Sequence, residues 1–600
     1  MSLFSELKRR QVFRVGAAYL LTAWLVIQVV ETIFPAFGFG ADAVRVVTIG
    51  FTAGLAPVLI AAWLFRLTPE GVRRQTVPVD VDVANAPVGK WLDRIILLAL
   101  ILAVAVLAFE LARSPVRDVV DSAPDRDAPS SGATFARSIV VLPFVNMSGD
   151  PGKEYFSDGI SEELLNLLSR IRDLRVISRT SAFSYKGKEV KVGQIAEELN
   201  VSHVLEGSVR QSGSQVRITA QLIDARTDTH LWSRTWDRQL DDIFAIQDEL
   251  AASVVSELEL TLAGEAQRTP ETVPEAYALF LQARSVARLG SAESYTEALT
   301  LFERVLALDS GYLPAWDGVS GIRLNQANKG LLPFEEGMAL ARVAAEKALS
   351  VDAQFGPAHA RLGWIAMLRD NDLALAAWHY QRALALDPGN DRIIGNATAL
   401  LKSLGRLDDC VTLDEWAIAR DPVNPVSRFN LGGSYLYSGR LDDAIEAYRA
   451  TLRLSPGRLG VPYHMGMAYL LKGDYAAALA SMQQEPLDVL RLTGEAMAQH
   501  ALGQVAEADR IQQQLVDRHG QDAAYNIAYL RAYRGDADGT FVWLEKAAAE
   551  GDPGLTDVGV EMLFDNVRDD PRWLPFLRSV GRSPEQLAAI EFSVVLPGGL

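Results

Sequence analysis

Seven histidines (His203, His230, His359, His379, His464, His500 and His519) and one cysteine, Cys410, are the residues of this chain best suited to hold a metal or act as base or nucleophile. Their spacing does not assemble that chemistry. No two histidines stand four apart on one helix face, and neither H-E-x-x-H nor G-x-S-x-G occurs. A single cysteine makes no intrachain disulfide and no Cys-based metal site, and inside a helical segment it reads as a small buried apolar residue. The acid pairs Asp408-Asp409 and Asp442-Asp443 fall at turns between helices, where they cap or are solvated. Asn146–Lys153 (NMSGDPGK) has a phosphate-loop flavour, but Gly149 and Gly152 are three apart and Lys153 is followed by Glu154. A Walker loop needs G-x-x-x-x-G-K-[ST], so this run reads as a plain strand-to-helix connection. The expectation is a protein that is not an enzyme, with no catalytic residues, no cofactor and no metal.

The elements that would position any site begin with apolar stretches. The mean hydropathy of +0.09 is high for a chain of net charge −17. Three apolar runs stand near the N-terminus, at about 13–34, 44–65 and 95–111, each long enough to cross a hydrocarbon layer of about 30 Å as a helix. Lys8, Arg9, Arg10 and Arg14 precede the first. Arg66, Arg73, Arg74, Lys90 and Arg94 separate the second from the third. The positive-inside rule then predicts a cytoplasmic N-terminus and periplasmic soluble domains on a bacterial inner membrane. A re-entrant second stretch, with Pro57 inside it, would reverse that side. The first 113 residues hold 11 of the 58 basic and 8 of the 75 acidic residues, so the negative charge lies beyond them. A surface that acidic repels phosphate backbones, and nucleic acid is not an expected partner.

Residues 114–136, rich in Pro, Ser, Asp and Ala, read as a flexible linker. Order resumes at Ser138 with SIVVLPFV, a buried-strand pattern. Ile160, Leu164, Leu168 and Ile171 then share one helix face, with Ser157 or Asp158 as the expected cap. A hairpin around Ser212-Gly213 and a further strand bearing Trp232 and Trp236 precede a long helix over 240–262. The order β-α-β-α-β-β-β-α predicts a mixed sheet over 137–265. The run FSELKRRQVFRVGAAYLLTAWLVIQVVETIFPAFGF resembles the N-terminal region of bacterial tetratricopeptide (TPR) proteins often called adenylate cyclase-like or TolB-like. SIVVLPFVNMSGDPGKEYFSDGISEELLNLLSRI and VLEGSVRQSGSQVRITAQLIDARTDTHLWSRTWDR resemble the TolB N-terminal-like family, which implies a non-catalytic, envelope-associated α/β module. A cyclase would need a further catalytic domain, and no stretch is left for one.

From Glu271 to about residue 582 a period of about 34 residues appears, the TPR length. The clearest copy, VSRFNLGGSYLYSGRLDDAIEAYRATLRLSP, places Leu431, Gly432 and Tyr435 on its first helix and Ala444, Tyr448 and Pro456 on its second helix and exit. Gly363 with Tyr380, and Gly466 with Met482, repeat that arrangement, and roughly eight or nine units are expected. Phe564–Arg578 reads as a closing segment, and 583–600 as a tail. The predicted architecture is therefore multidomain: three transmembrane helices, a small α/β domain and an all-α TPR solenoid. Such solenoids bind peptides or protein surfaces along a concave face. The family geometry puts Phe429, Asn430, Gly433, Tyr463 and His464 on or near that face. The functional expectation is a membrane-anchored scaffold that binds a protein or peptide in the cell envelope. The alternative is a non-enzymatic transmembrane receptor that relays binding to a cytoplasmic partner.

Overall fold

Charge decides which helices of this chain can enter a membrane, and it separates expectation from structure. The computed structural model describes residues 65–68, 71–74, 135–171, 174–258 and 271–595. The chain divides into two units, Met1–Ser131 and Gly132–Leu600. In the first, β1 (Phe65–Thr68) pairs antiparallel with β2 (Gly71–Arg74), Phe65 opposite Arg74.

The expectation of three transmembrane helices is corrected by this structure. Among the described residues, no helix is long and apolar enough to cross a membrane. The longest, Phe334–Val351, has 18 residues but carries Glu335, Glu336, Arg342, Glu346 and Lys347, too many charges for hydrocarbon. The stretches 13–34, 44–65 and 95–111 lie outside the described residues, save Phe65, which starts a strand where a helix was expected to end. The inner-membrane placement with periplasmic domains rested on those helices and is corrected with them. The membrane-embedded reading and the transmembrane-receptor alternative rested on the same helices and are left without support. The linker at 114–136 lies outside the described residues up to 134.

The second unit opens with the α/β module. Strands β3 (Phe135–Val141), β4 (Val145–Asn146), β5 (Arg175–Val176), β6 (Val201–Ser212), β7 (Gln215–Asp224) and β8 (Thr229–Gln239) form one mixed sheet in the order β5-β3-β6-β7-β8. β3 runs parallel to β5 and β6, β4 pairs parallel with β6, and β6-β7-β8 is an antiparallel meander. In β7, Val216, Ile218, Ala220 and Leu222 face the core while Arg217 pairs with Asp237 outside, so one face is wet as the alternation predicts. Helix α1 (Glu154–Ser169) buries Ile160, Leu164 and Leu168 against the sheet. It starts three residues ahead of the expected cap Ser157. A 3-10 turn at Pro151–Lys153, capped by Asp150, leads into it, and the Ser157 hydroxyl donates to the Glu154 carbonyl instead. Short helices α2 (Arg179–Phe183) and α3 (Val192–Leu199) connect β5 to β6, and α4 (Ile243–Glu257) closes the module.

Eight helix pairs follow among the described residues. They are α5 (Pro274–Ala287) with α6 (Ala292–Leu308), α7 (Leu313–Asn328) with α8 (Phe334–Val351), α9 (Gly356–Leu368) with α10 (Leu373–Leu386), and α11 (Asp391–Ser403) with α12 (Leu407–Arg420). Then come α13 (Pro425–Tyr437) with α14 (Leu441–Leu454), α15 (Val461–Lys472) with α16 (Tyr475–Met482), α17 (Asp488–Ala501) with α18 (Val505–His519), and α19 (Ala524–Tyr533) with α20 (Ala537–Glu550). One contact recurs inside the pairs. A methyl group at Gly363 would stand 2.7 Å from the Tyr380 ring, one at Gly432 2.6 Å from Tyr448, and one at Gly466 2.5 Å from Met482. Each first helix therefore lies directly on a large side chain of its second helix. Tyr380 and Tyr448 are fully buried, and neither hydroxyl finds a partner. Close packing of the ring takes precedence over satisfying its oxygen.

The core of the module runs on into the first repeats. Tyr277 of α5 lies 4.8 Å from Phe244 of α4 and accepts a hydrogen bond from Gln247 at 2.7 Å, while a methyl at Gly159 of α1 would collide with Leu281 of α5. Beyond α20, two 3-10 turns (Pro553–Asp557 and Met562–Val567) and helices α21 (Trp573–Ser579) and α22 (Pro584–Ala588) complete the described chain. Phe564 packs on Tyr525 of the last pair and Trp573 on Phe564, so the closing segment covers the end of the stack.

The Gly432 contact makes a signed prediction. In an open helix Gly→Ala stabilises by about 1 kcal/mol. Gly432→Ala is expected to destabilise instead, by about 1–3 kcal/mol, because the new methyl has no room. Gly433→Ala, whose methyl meets only the Tyr448 hydroxyl at 3.9 Å, is expected to be neutral or stabilising. Urea midpoints of the two variants check this.

Candidate functional site: the first-helix face of the repeats

The five residues singled out from the sequence fall on two neighbouring first helices, α13 and α15. Phe429 and His464 meet edge-on at 5.4 Å, both half-buried, with Tyr448 behind them at 5.8 Å from Phe429. The Arg458 guanidinium lies over the Phe429 ring at 5.2 Å, a cation–π contact. His464 Nδ1 and the Gly460 carbonyl are 2.7 Å apart, so Nδ1 carries the proton and Nε2 is left as an acceptor. Burial holds the His464 pKa below its usual value, and the ring is neutral at physiological pH. Asn430 reaches toward Gly395 of α11, and Gly433 leaves space beside Tyr448. Tyr463 sits elsewhere: it is buried, and its hydroxyl meets that of Tyr529 in α19 at 3.0 Å. The structure thus brings Phe429 and His464 together, with Asn430 and Gly433 on the same helix as Phe429, and turns Tyr463 into a strut between the sixth and eighth pairs.

Two buried carboxylates, Glu485 and Asp414, and the half-buried Asp317, all passed over in the sequence reading, tie neighbouring repeats together. Glu485, 1% exposed, accepts from the backbone N–H groups of Gly460 (3.0 Å), Tyr463 (3.4 Å) and Leu487 (3.1 Å). It places a negative charge at the N-terminus of α15, where the helix dipole favours one. Asp414 of α12 accepts from Thr398 of α11 at 3.0 Å and from Ser434 of α13 at 2.6 Å, joining two successive repeats. Asp317 of α7 accepts from Arg361 Nε of α9 at 2.8 Å, and Arg392 of α11 stands 3.7 Å away. Burial acts against the charge on Asp317, but Arg361 and Arg392 outweigh it and hold the carboxyl far below the usual range. Cys410 is fully buried, its thiol pushed up by burial and directed at the Thr398 carbonyl, the inert role its position suggested.

Both rims of the stack are bridged. At one, Asp421, in the turn after α12, accepts from the Ser178 N–H at 3.2 Å and the Ser181 hydroxyl at 2.6 Å of the α/β module. Arg175 donates to the Arg420 carbonyl at 2.6 Å beside them. Glu162 of α1 takes Arg179, Arg284 and Arg288, and Glu163 takes Arg284. At the other rim the closing segment crosses the C-terminal ends of three first helices. Thr556 donates to Met367 of α9, Asp557 pairs with Lys402 and Ser403 of α11, and Glu561 accepts from Tyr437 of α13 at 2.8 Å.

Comparison with known proteins agrees with the repeat geometry. A tetratricopeptide repeat family model matches residues 400–458 and 431–486, so this part of the chain consists of TPR repeats. A Rhizobium meliloti (strain 1021) protein named "Putative adenylate cyclase 3" is 41% identical over 249 residues. That match spans 40% of this chain and 42% of the relative, less than half the length of either. Among solved structures, the chain is similar to Pseudomonas aeruginosa PilF (21% identity, TM-score 0.28, 36% of this chain and 96% of that one). It is also similar to a TPR protein of Parabacteroides merdae ATCC 43184 (15% identity, TM-score 0.31, 41% and 98%).

Asp414 gives this site a pH dependence. Burial pushes its pKa up to about 7, opposed by the two hydroxyl hydrogen bonds. The folded carboxyl therefore holds its proton where the unfolded one, with a pKa near ~3.9, has lost it. Its contribution to stability falls as pH rises from about 4 to about 7 and is level above that. Asp414→Asn is expected to lose this slope and to be the more stable protein at about pH 8, by roughly 1–4 kcal/mol. Urea unfolding of both proteins across that range measures it, and parallel curves would refute the assignment.

Proposed function

We propose that this protein is a non-catalytic interaction scaffold that binds a protein or peptide segment on the first-helix face of its TPR repeats. The observation that carries the reading is the half-buried cluster of Phe429, His464 and Arg458 beside Asn430 and Gly433. A flat aromatic pair, a cation and an amide, mounted on packed helices, offer what an extended chain needs: an apolar anchor and hydrogen-bonding groups. Gly433 keeps the adjacent backbone uncovered. Tyr463 serves this surface from behind by tying α15 to α19. We also take Ser138–Leu262 as a TolB N-terminal-like module on the motifs it carries. Its part in the scaffold is to brace the repeats through Arg175, Ser178, Ser181 and Glu162.

The cyclase name of the relative suggests an enzyme, and the non-catalytic reading stands against it. What supports it is the use made of these acids: Asp317, Asp414 and Glu485 are each spent on hydrogen bonds and ion pairs within the stack.

The test is crosslinking capture from native lysate with the full chain, run against Phe429→Ala and Asn430→Ala. The expected result is a partner crosslinked at α13–α15 in the parent protein, reduced about tenfold or more in both variants, with unchanged melting temperatures. Equal capture by all three proteins would move the binding face elsewhere. In parallel, purified protein incubated with ATP and divalent cation is expected to form no cyclic AMP. Steady formation of it would overturn the non-catalytic reading.

A further inference from the structure

Beneath the closing segment lies a cavity of about 480 Å³, within the range of small-molecule sites. Its apolar walls are Leu404 after α11, Val560 between the two 3-10 turns, Trp573 and Leu577 of α21, and Leu587 of α22. Three arginines, Arg406, Arg568 and Arg582, also line it, and among the described residues no acidic residue does.

The charge balance of those arginines is the informative feature. Arg568 has a carboxylate, Asp565 at 2.6 Å. The other two spend their N–H groups on neutral oxygens. Arg406 donates to the carbonyls of Phe592 (2.5 Å) and Ile590 (2.6 Å). Arg582 donates to the carbonyls of Val580 and Gly581 (both 3.3 Å) and to the side chain of Asn371. Arg582 is 2% exposed, and its Nε has no hydrogen-bond partner. Two carboxylates act on its charge: Asp557, already paired with Lys402 at 2.6 Å, and Asp372. A buried cation whose desolvation outweighs its neighbouring charges carries a cost that a bound anion would offset. Burial draws the Arg582 pKa down to about 10 against the pull of Asp557 and Asp372, so its charge is only partly compensated.

We propose that this cavity is a binding site for a small amphiphilic anion, a single apolar chain ending in a carboxylate or phosphate. The chain would lie against Leu404, Val560, Trp573 and Leu577. The anionic oxygens would meet Arg582, whose Nε–H is without a partner, with the charges of Arg406 and Arg568 beside it. An apolar ligand without the charge leaves the arginines as they are, and an anion without the chain leaves the apolar walls bare. This site is separate from the repeat face and does not rest on the scaffold reading.

The experiment is titration calorimetry of the full chain with decanoate, decyl phosphate and decan-1-ol, below their micellar concentrations. Saturable one-to-one binding of decanoate or decyl phosphate, at least about tenfold tighter than decan-1-ol, is the expected result, and the tighter acid identifies the head group. Equal binding of the alcohol, or no binding by either acid, would overturn the proposal. Ala588, exposed on the cavity wall, supplies a variant that spares the fold. Ala588→Trp is expected to keep the parent melting temperature and weaken the acid by about tenfold or more. Arg582→Gln is expected to bring the acid and the alcohol to similar affinity. An Ala588→Trp protein that melts normally and binds the acid as tightly as the parent would place the ligand elsewhere and defeat the proposal.

Discussion

The close approach of a glycine to a large side chain inside three of the helix pairs is the constraint on which the rest of this structure depends. Gly363 on Tyr380, Gly432 on Tyr448 and Gly466 on Met482 set the distance between first and second helices at separations that no other residue allows. A stack of such pairs has no single centre. Its stability is the sum of contacts within and between neighbours. The first-helix face inherits its shape from those contacts. Phe429 meets His464 because the fifth and sixth pairs follow at a fixed offset. Tyr463 meets Tyr529 across the intervening seventh pair.

A solenoid held only by nearest neighbours would flex along its length, and this one is fastened at both rims. The α/β module grips the turn after α12 through Asp421 and continues its core into α5. The closing segment ties the end of the chain back to α9, α11 and α13 through Thr556, Asp557 and Glu561. The links of Asp421, Thr556, Asp557 and Glu561 join residues more than 100 positions apart, so they form only when distant repeats are in place. A rigid face spends less entropy in capturing an extended partner than a flexible one does.

Much of this was legible in the residues. The period-two alternation of β7, the one-sided face of α1 and the glycine-to-tyrosine spacing of the repeats each express a local period, and each has its expected place. What local patterns do not carry is the partner of a long-range contact. Asp414 and Glu485 look like solvated acids in a helix and a turn, and only the neighbouring repeats show them buried. Asp421 and Ser181 are 240 residues apart, and no spacing rule joins them. The start of α1 was misplaced because a proline turn capped by Asp150 supplied its first turn ahead of Ser157. The transmembrane reading relied on hydropathy over windows, which measures how apolar a run is and not what backbone it adopts. Phe65, at the end of one such run, pairs in a strand.

The central claim is that module, repeats and closing segment form one mechanically continuous body that holds the first-helix face. Native-state hydrogen exchange, followed by mass spectrometry across increasing urea, tests it most directly. The account predicts that α1, α5, α9, α11 and α13 lose protection together, with one shared dependence on denaturant. Independent opening of α1, or of α9 to α13 ahead of the remaining repeats, would contradict it.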